Sequence, residues 1–446
     1  MPTIRSRPRV LFLLLASLVL GGGCGAPPAE DEPGGSARNL ARATPESVGM
    51  SSERLGRLHD AMQALVDDGR LAGITTMIAR RGQIADFRTY GYRDLEARHS
   101  MPEDAIFRIY SMSKPITGVA LMILYEEGKF RLQDPVRRYI PELGGMRVAT
   151  RVGPGGPVLE EARHPMTIRE LMTHTAGLAY GIGDPHPVDS MYTEAGVLDR
   201  DQTLEDMIHK LADLPLRQQP GTRWTYSIAV DVQGYLVEVL SGQPFDEFLQ
   251  ERIFDPLGMV DTGFHVPPED HDRFAQAYFY DEDGSLAAPS PSDMPGGPRA
   301  FLDPTTFFSG GGGLVSTTMD YMRFCQMLLN GGELDGVRIL SPTTVALMTR
   351  NHLPRAVGEY APGLGFGLDF AVVLDPVEAG GVSAGEYYWG GAAGTWFWID
   401  PAQDLAFVGM IQQGPAGRPD VRSLSRQLTY QAITESAVAL GGIPRR

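Results

Sequence analysis

Lysine is almost missing from this chain. Of 446 residues only Lys114, Lys129 and Lys210 are lysine, against 36 arginines. Arginine stays protonated at working pH and does not serve as a base, so each lysine marks a place to look for proton chemistry. Cysteine is as scarce, with Cys24 and Cys325 alone, which excludes a fold built on disulfides. The nine histidines (59, 99, 164, 174, 186, 209, 265, 271, 352) are scattered, with no His-Glu-x-x-His and no Cys/His cluster. Metal chemistry therefore has no support, and no metal or cofactor is expected. His174, in Leu171-Met172-Thr173-His174-Thr175, reads as a residue that holds a turn by hydrogen bonds. Basic patches are lacking too. A formal charge of −16 argues against nucleic acid as a partner. The glycine run Gly310–Gly313 lacks the Gly-Lys-Ser/Thr ending of a phosphate loop, so it implies a tight turn or a close backbone approach.

What is present is a globular composition, 43% apolar and 21% charged. The length suits one large or two modest domains. The first residues read as an address. Arg5, Arg7 and Arg9 precede an apolar run of 11 residues, Val10 to Leu20, too short to span a bilayer. Gly21 to Gly23 and then Cys24 follow. This resembles a bacterial lipoprotein signal, although Leu20 stands four residues before the cysteine where the pattern has three. The resemblance implies a leader over 1–23, a lipidated Cys24 and a flexible tether over 24–44. It also implies an exported, membrane-anchored protein, periplasmic or at the cell surface. Cys325, in an apolar-periodic helical stretch, is expected to be a buried small hydrophobe.

Leu55, Leu58, Met62 and Leu65 recur at helix period over 51–68. Strands are expected over Gly73–Arg80 and Gln83–Tyr92 around the turn Arg81-Gly82, then a helix over Lys114–Glu127 with Gly128 as its stop. Short helices fall at Thr167–Thr175, Leu204–Leu214 and Val230–Leu240. Strands return at Gly365–Val373, Glu386–Trp389, Thr395–Ile399 and Leu405–Gln412, and a last helix is expected near Arg422–Leu440. Strands at both ends suggest one sheet built from both termini, with a helical insert and a site between two lobes.

Two patterns compete for the nucleophile. In Ser111-Met112-Ser113-Lys114 the serine and lysine lie one helical turn apart on one face, the geometry of a lysine-activated serine. Gly381-Val382-Ser383-Ala384-Gly385 matches Gly-x-Ser-x-Gly, whose elbow needs a following helix and a downstream histidine. A strand-like run follows instead, and the last histidine, His352, precedes Ser383. Ser111 is therefore preferred.

Several ordered motifs, from about Pro45 to residue 438, resemble the serine β-lactamase-like hydrolases, which include class C β-lactamases and penicillin-binding proteins. They are Phe107–Lys114, Leu132–Val136, Leu171–Leu178, Trp224-Thr225-Tyr226-Ser227, Ser309–Leu314 and Trp389-Gly390-Gly391. Within that superfamily the chain is most similar to the family VIII carboxylesterases. The resemblance implies an α+β, β-lactamase/DD-peptidase-like fold over 45–440, an antiparallel sheet flanked by helices plus a helical lobe. The α/β lobe would comprise about 45–130 and 306–440, and the helical lobe about 131–305. Ser111 is then the acyl-forming nucleophile, and Lys114 is its activator, which lowers the serine's pKa and takes part in proton transfer. Tyr226 relays the proton, since a phenol beside a lysine cation gives up its proton more readily. The backbone N–H groups of Ser111 and Ala392 form the oxyanion hole.

Two departures bear on substrate. Ile228 stands where β-lactamases and peptidases have the asparagine of Tyr-x-Asn, and Trp389 stands where they have Lys or His. Neither replaces an amide or a cation. Trp389, Gly390, Gly391, Tyr387 and Tyr388, with Phe307 and Phe308 nearby, would favour an apolar acyl or alcohol group. The expected partner is a small-molecule ester, with the membrane reached through the N-terminal lipid and no obligate protein partner indicated. The alternatives are a β-lactamase or D-Ala-D-Ala carboxypeptidase, and a non-catalytic binding lipoprotein that kept the fold.

Overall fold

The computed structural model describes residues 39–153, 155–181, 186–290, 297 and 299–436. The leader, Cys24 and the tether as far as residue 38 lie outside the described residues, as do residues 437–446.

The first helix, α1 (Ser52–Asp67), starts where the Ser51 side chain accepts from the Arg54 N–H, and it buries the predicted stripe Leu55, Leu58, Met62 and Leu65. Strand β1 (Gly73–Arg80) is buried along its whole length, which marks it as central. Arg81 and Gly82 both take positive φ, 53° and 74°, as a two-residue hairpin turn with right-handed strand twist requires. The chain returns as β2 (Gln83–Asp94) and pairs briefly with β3 (His99–Ser100).

The C-terminal third supplies β4 (Leu364–Phe366), β5 (Ala371–Val373), β6 (Tyr387–Gly390), β7 (Trp396–Asp400) and β8 (Leu405–Met410). The eight strands form one antiparallel sheet in the order β4-β5-β6-β7-β8-β1-β2-β3. β1 pairs with β8, Thr75 opposite Met410, so the two ends of the chain do build one sheet. Helix α1 and the last helix cover one face. On that face Trp396 Nε1 donates to Ser425 and the Trp398 ring stacks near Tyr430. Helix α4 (Thr318–Leu329) covers the other face, where Tyr321 packs on Phe397 at 5.2 Å. Cys325 lies on α4, free and buried, as its apolar surroundings in the sequence indicated.

Four expectations are corrected here. The strand read over Gly365–Val373 is a hairpin, because Asp369 takes φ 66° and Gly367 N–H bonds Phe370 O, folding the run back on itself. The helix over Thr167–Thr175 is confined to Ile168–Met172, since His174 adopts φ 53°. The last helix, α5 (Val421–Tyr430), is shorter than read, because the chain turns after Tyr430 so that Ile433 bridges Met50. Finally, residues 41–44 are part of the body. The backbone of Ala41 and Ala43 pairs with Ile84, and Leu40 is buried.

The region 131–305 is mainly helix and loop, but it also holds the ribbons Val148–Gly153 with Gly156–Glu160 and Phe279–Tyr280 with Leu286–Ala287. Its principal helix, α3 (Ala229–Ser241), packs on α2 (Ser113–Glu126). That contact sets the depth of the site.

On α4, Asp320 Oδ2 accepts from the Asp261 N–H at 2.8 Å and the Thr262 hydroxyl at 2.9 Å. Burial, with some help from the Asp261 charge, pushes its carboxyl up to about 7, against the pull of those bonds and of Arg323. A raised carboxyl binds its proton more tightly folded than unfolded. Its contribution is therefore full below the unfolded value and is lost as pH rises through about 7. Asp320→Asn keeps an acceptor and removes the charge. Its melting temperature relative to the parent is expected to climb between pH 5 and 8; a constant difference would refute this.

Candidate active site

Ser111 sits in a single tight turn, Tyr110–Met112, that runs directly into α2. Every residue of α2 from Ser113 to Leu124 is buried, so its first turn carries Lys114 into the core. Tyr110 takes φ 42°, a conformation costly for a bulky residue and common at functional turns. Its ring is held edge-on against Phe301 at 5.5 Å. The turn is fastened from below. Ile109 N–H bonds Leu314 O, Ser113 Oγ accepts from the Leu314 N–H, and the Tyr321 hydroxyl donates to Met112 O.

Lys114 Nζ donates to three oxygens: Gly311 O at 2.6 Å, Tyr180 Oη at 3.2 Å and Ser111 Oγ at 3.3 Å. An ammonium has three donors, and all three are used. Burial works against the charge, but Tyr180, Tyr226 and Asp231 outweigh it and hold the lysine protonated. The glycine run makes this possible by close approach, as expected. A Cβ at Gly310 would meet Val230 O at 2.6 Å, and one at Gly311 would meet Asp231 Oδ2 at 2.5 Å. Asp231 Oδ1 accepts from Ser309 Oγ and the Gly311 N–H, which aims the Gly311 carbonyl at the lysine.

Tyr226 donates its hydroxyl to Ser111 Oγ at 2.7 Å, and its ring centroid lies 4.6 Å from Lys114 Nζ. The loop carrying it is strapped to the end of Ile168–Met172 by His174, whose carbonyl takes the Thr225 N–H and whose Nδ1 lies 3.1 Å from Ser227 Oγ. His174 is thus a turn holder. Its ring lies 4.9 Å from that of Tyr226, and burial keeps its imidazole well below the ordinary value, hence neutral.

Ser111, Tyr226, Trp389, Gly390, Gly391 and Ala392 line one cavity of about 460 Å³, completed by Trp224, Tyr360 and Arg422. A larger cleft of about 720 Å³, with Tyr180 in its wall, has neither Ser111 nor Tyr226 among its lining residues. A Cβ at Gly391 would overlap the Ile109 carbonyl and Thr395 Oγ1, so glycine lets the end of β6 pass close to the turn that carries Ser111. Gly391 O accepts from the Gly394 N–H inside the β6–β7 turn. In a planar trans peptide the Ala392 N–H then points away from that turn.

The structure separates the remaining sequence candidates. Tyr387 is buried against Phe370, and Tyr388 lies under Arg422 and Arg426; neither is in the cavity wall. Side chains alternate along a strand, so Tyr388 faces away from Trp389. Phe307 and Phe308 are also absent from that wall. Ile228 is fully buried at the start of α3. Ser383 lies in the loop before β6, with no following helix. Tyr180, Tyr360 and Arg422 were missed, because none lies in a local pattern and each reaches the site from a separate element. Among the described residues no group of three or more His, Cys, Asp or Glu is placed to hold a metal ion.

Comparison with known proteins agrees with this geometry. The family model described as Beta-lactamase matches residues 58–430. Protein Rv1367c of Mycobacterium tuberculosis is 39% identical over 402 residues, covering 84% of this chain and 98% of its own. Esterase EstB of Burkholderia gladioli is 33% identical over 377 residues, 79% of this chain and 88% of its own. Among solved structures, EstCE1, a hydrolase with promiscuous acyltransferase activity, superposes with a TM-score of 0.73 at 30% identity, over 85% of this chain and 99% of its own. The fold is that of the β-lactamases and penicillin-binding proteins, and the chain belongs to the Beta-lactamase family.

Proposed function

We propose that the protein hydrolyses small carboxylic esters through an acyl-enzyme on Ser111. One observation carries this reading. Ser111 Oγ sits in an aromatic-walled cavity with Tyr226 Oη at 2.7 Å and Lys114 Nζ at 3.3 Å.

Lys114 is already a full donor and stays charged, so Tyr226 is the group that takes the serine proton. In the reacting form Tyr226 is the phenolate paired with the Lys114 ammonium, its own proton already released, and Ser111 Oγ attacks the ester carbonyl carbon while its proton passes to that phenolate oxygen. The carbonyl oxygen becomes an oxyanion between the N–H groups of Ser111 and Ala392. As the tetrahedral centre collapses, the C–O bond to the alcohol breaks and Tyr226 returns the proton to the departing oxygen. Water then attacks the acyl carbonyl, gives its proton to Tyr226, and the acid leaves as Ser111 regains its hydrogen. The ammonium of Lys114 stabilises the negative charge that moves between the two oxygens throughout.

The wall favours esters over β-lactams. Trp389 packs with Tyr226, Tyr360 and Phe366 at 5.5 to 6.1 Å. The names of EstB and EstCE1 point the same way. The purified protein is expected to turn over p-nitrophenyl butyrate with a kcat/KM on the order of 100-fold or more above that for a chromogenic cephalosporin, the scale of losing contacts a polar site makes. A cephalosporin turned over faster than the ester would move the assignment to a β-lactamase. Failure to label with a fluorophosphonate would favour a binding protein.

A further inference from the structure

Three arginines punctuate the segment that leads into and along α5, and two of them are engaged. Arg418 donates to Ala392 O at 2.8 Å and Gln413 O at 3.1 Å. Arg426 pairs with the buried carboxylate of Glu386. Arg422 stands between them in the wall of the Ser111 cavity, and among the described residues its guanidinium has no hydrogen-bond or ion-pair partner. The nearest acid along the helix, Asp420, is occupied as the N-cap and accepts from the Ser423 N–H.

The position is built for this side chain. A Cβ at Gly390 would overlap Arg422 Nη2, so the glycine next to Trp389 makes the space that the guanidinium fills. The Tyr388 ring supports it from one side, 5.5 Å from Cζ. That contact steadies the charge but accepts none of its five N–H donors. A cation held beside a nucleophile, in a wall otherwise made of Trp224, Tyr226, Tyr360 and Trp389, invites an anion from the ligand. Planar carboxylate matches its fork.

We propose that Arg422 makes this site selective for small esters that carry a free carboxylate near the scissile bond. The proposal rests on the ester reading above and names its substrate class. A cavity of about 460 Å³ holding both Ser111 and Arg422 limits such substrates to short ones. Half-esters of short dicarboxylic acids place the charge on the acyl side, and acetylated hydroxy acids place it on the alcohol side.

The test uses three esters and the full protein. Monomethyl glutarate carries the charge in the acyl part, 4-acetoxybutyrate carries it in the alcohol part, and methyl butyrate is neutral. The parent is expected to favour one anionic ester over methyl butyrate, and which one reports the side of the bond. In Arg422→Gln that anionic-to-neutral ratio of kcat/KM is expected to fall about 10- to 100-fold, the worth of charged hydrogen bonds. Arg422→Lys should recover part of the ratio, because the charge returns without the fork. Taking the ratio within each variant cancels any difference in folded fraction. A parent with no anionic preference, or a ratio that survives in Arg422→Gln, overturns the proposal. No turnover of any ester by the parent overturns the ester reading instead. The proposal then still stands or falls on whether glutarate slows fluorophosphonate labelling of the parent but not of Arg422→Gln.

Discussion

Ser111→Ala is expected to lower kcat for p-nitrophenyl butyrate by about 10⁴-fold or more, the scale of removing a serine nucleophile. The size follows from what the site lacks without it. Ser113, two residues on, is fully buried and its Oγ is committed to the Leu314 N–H. Ser383 lies in the loop before β6 and not in the cavity wall. Among the described residues no other serine or threonine hydroxyl bonds both Tyr226 and Lys114, so what remains is binding and the oxyanion hole alone. The comparison needs parent and variant at matched concentration, with fluorophosphonate labelling as a second readout. Activity within tenfold of the parent would show that the nucleophile is misassigned, and Ser383 and Ser113 would be replaced in turn.

Lys114→Met is expected to cost about 10³-fold in kcat, since the cation that serves both oxygens of the proton relay is gone. It is also expected to cost about 3–5 kcal/mol of stability at neutral pH, the usual result of leaving buried charge without its partner. The charges concerned are Asp231 and Asp369, both wholly buried and raised by burial, with Lys114 the cation that opposes that rise. Asp369 also accepts from Gln233 and Asp231 from Ser309, but neither partner carries charge. A carboxyl raised in the folded state is most stabilising below its unfolded value and loses that contribution as pH rises through the folded one. The thermal penalty of Lys114→Met should therefore be smaller at pH 5 than at pH 8. Circular dichroism at the assay temperature separates lost folding from lost chemistry. A folded variant with near-parental kcat would remove Lys114 from the mechanism.

Much of the sheet was legible because its strands carry strong local signals. Gly73–Arg80 is rich in apolar and β-branched residues, Leu405–Met410 is a continuous apolar run, and the Arg81-Gly82 turn announces its hairpin. The errors fell where a single residue adopts left-handed backbone without being glycine, at His174 and Asp369, or where the chain turns to reach a distant partner, as at Tyr430. Residues 39–44 show the same limit. Their composition reads as tether, yet Leu40 is buried and the chain beyond it pairs with Ile84 through backbone groups that composition does not encode.

What was legible along the chain is which side chains the proposed chemistry uses. Ser111 and Lys114 sit one helical turn apart, so their encounter is local, and the family pattern carried Tyr226, Trp389 and the glycines with them. Tertiary structure decided what surrounds that chemistry. Tyr180 on Lys114, Asp231 behind Gly311, and Arg422 in the space left by Gly390 come from elements far apart in the chain. It also decided that Tyr388 points to the opposite face of its strand from Trp389, and that Tyr387, on the Trp389 face, is buried against Phe370 outside the cavity wall. The physical reason is that a helical or strand neighbour is set by a fixed period along the chain, whereas the partner of a buried charge is set by which separate elements pack against it.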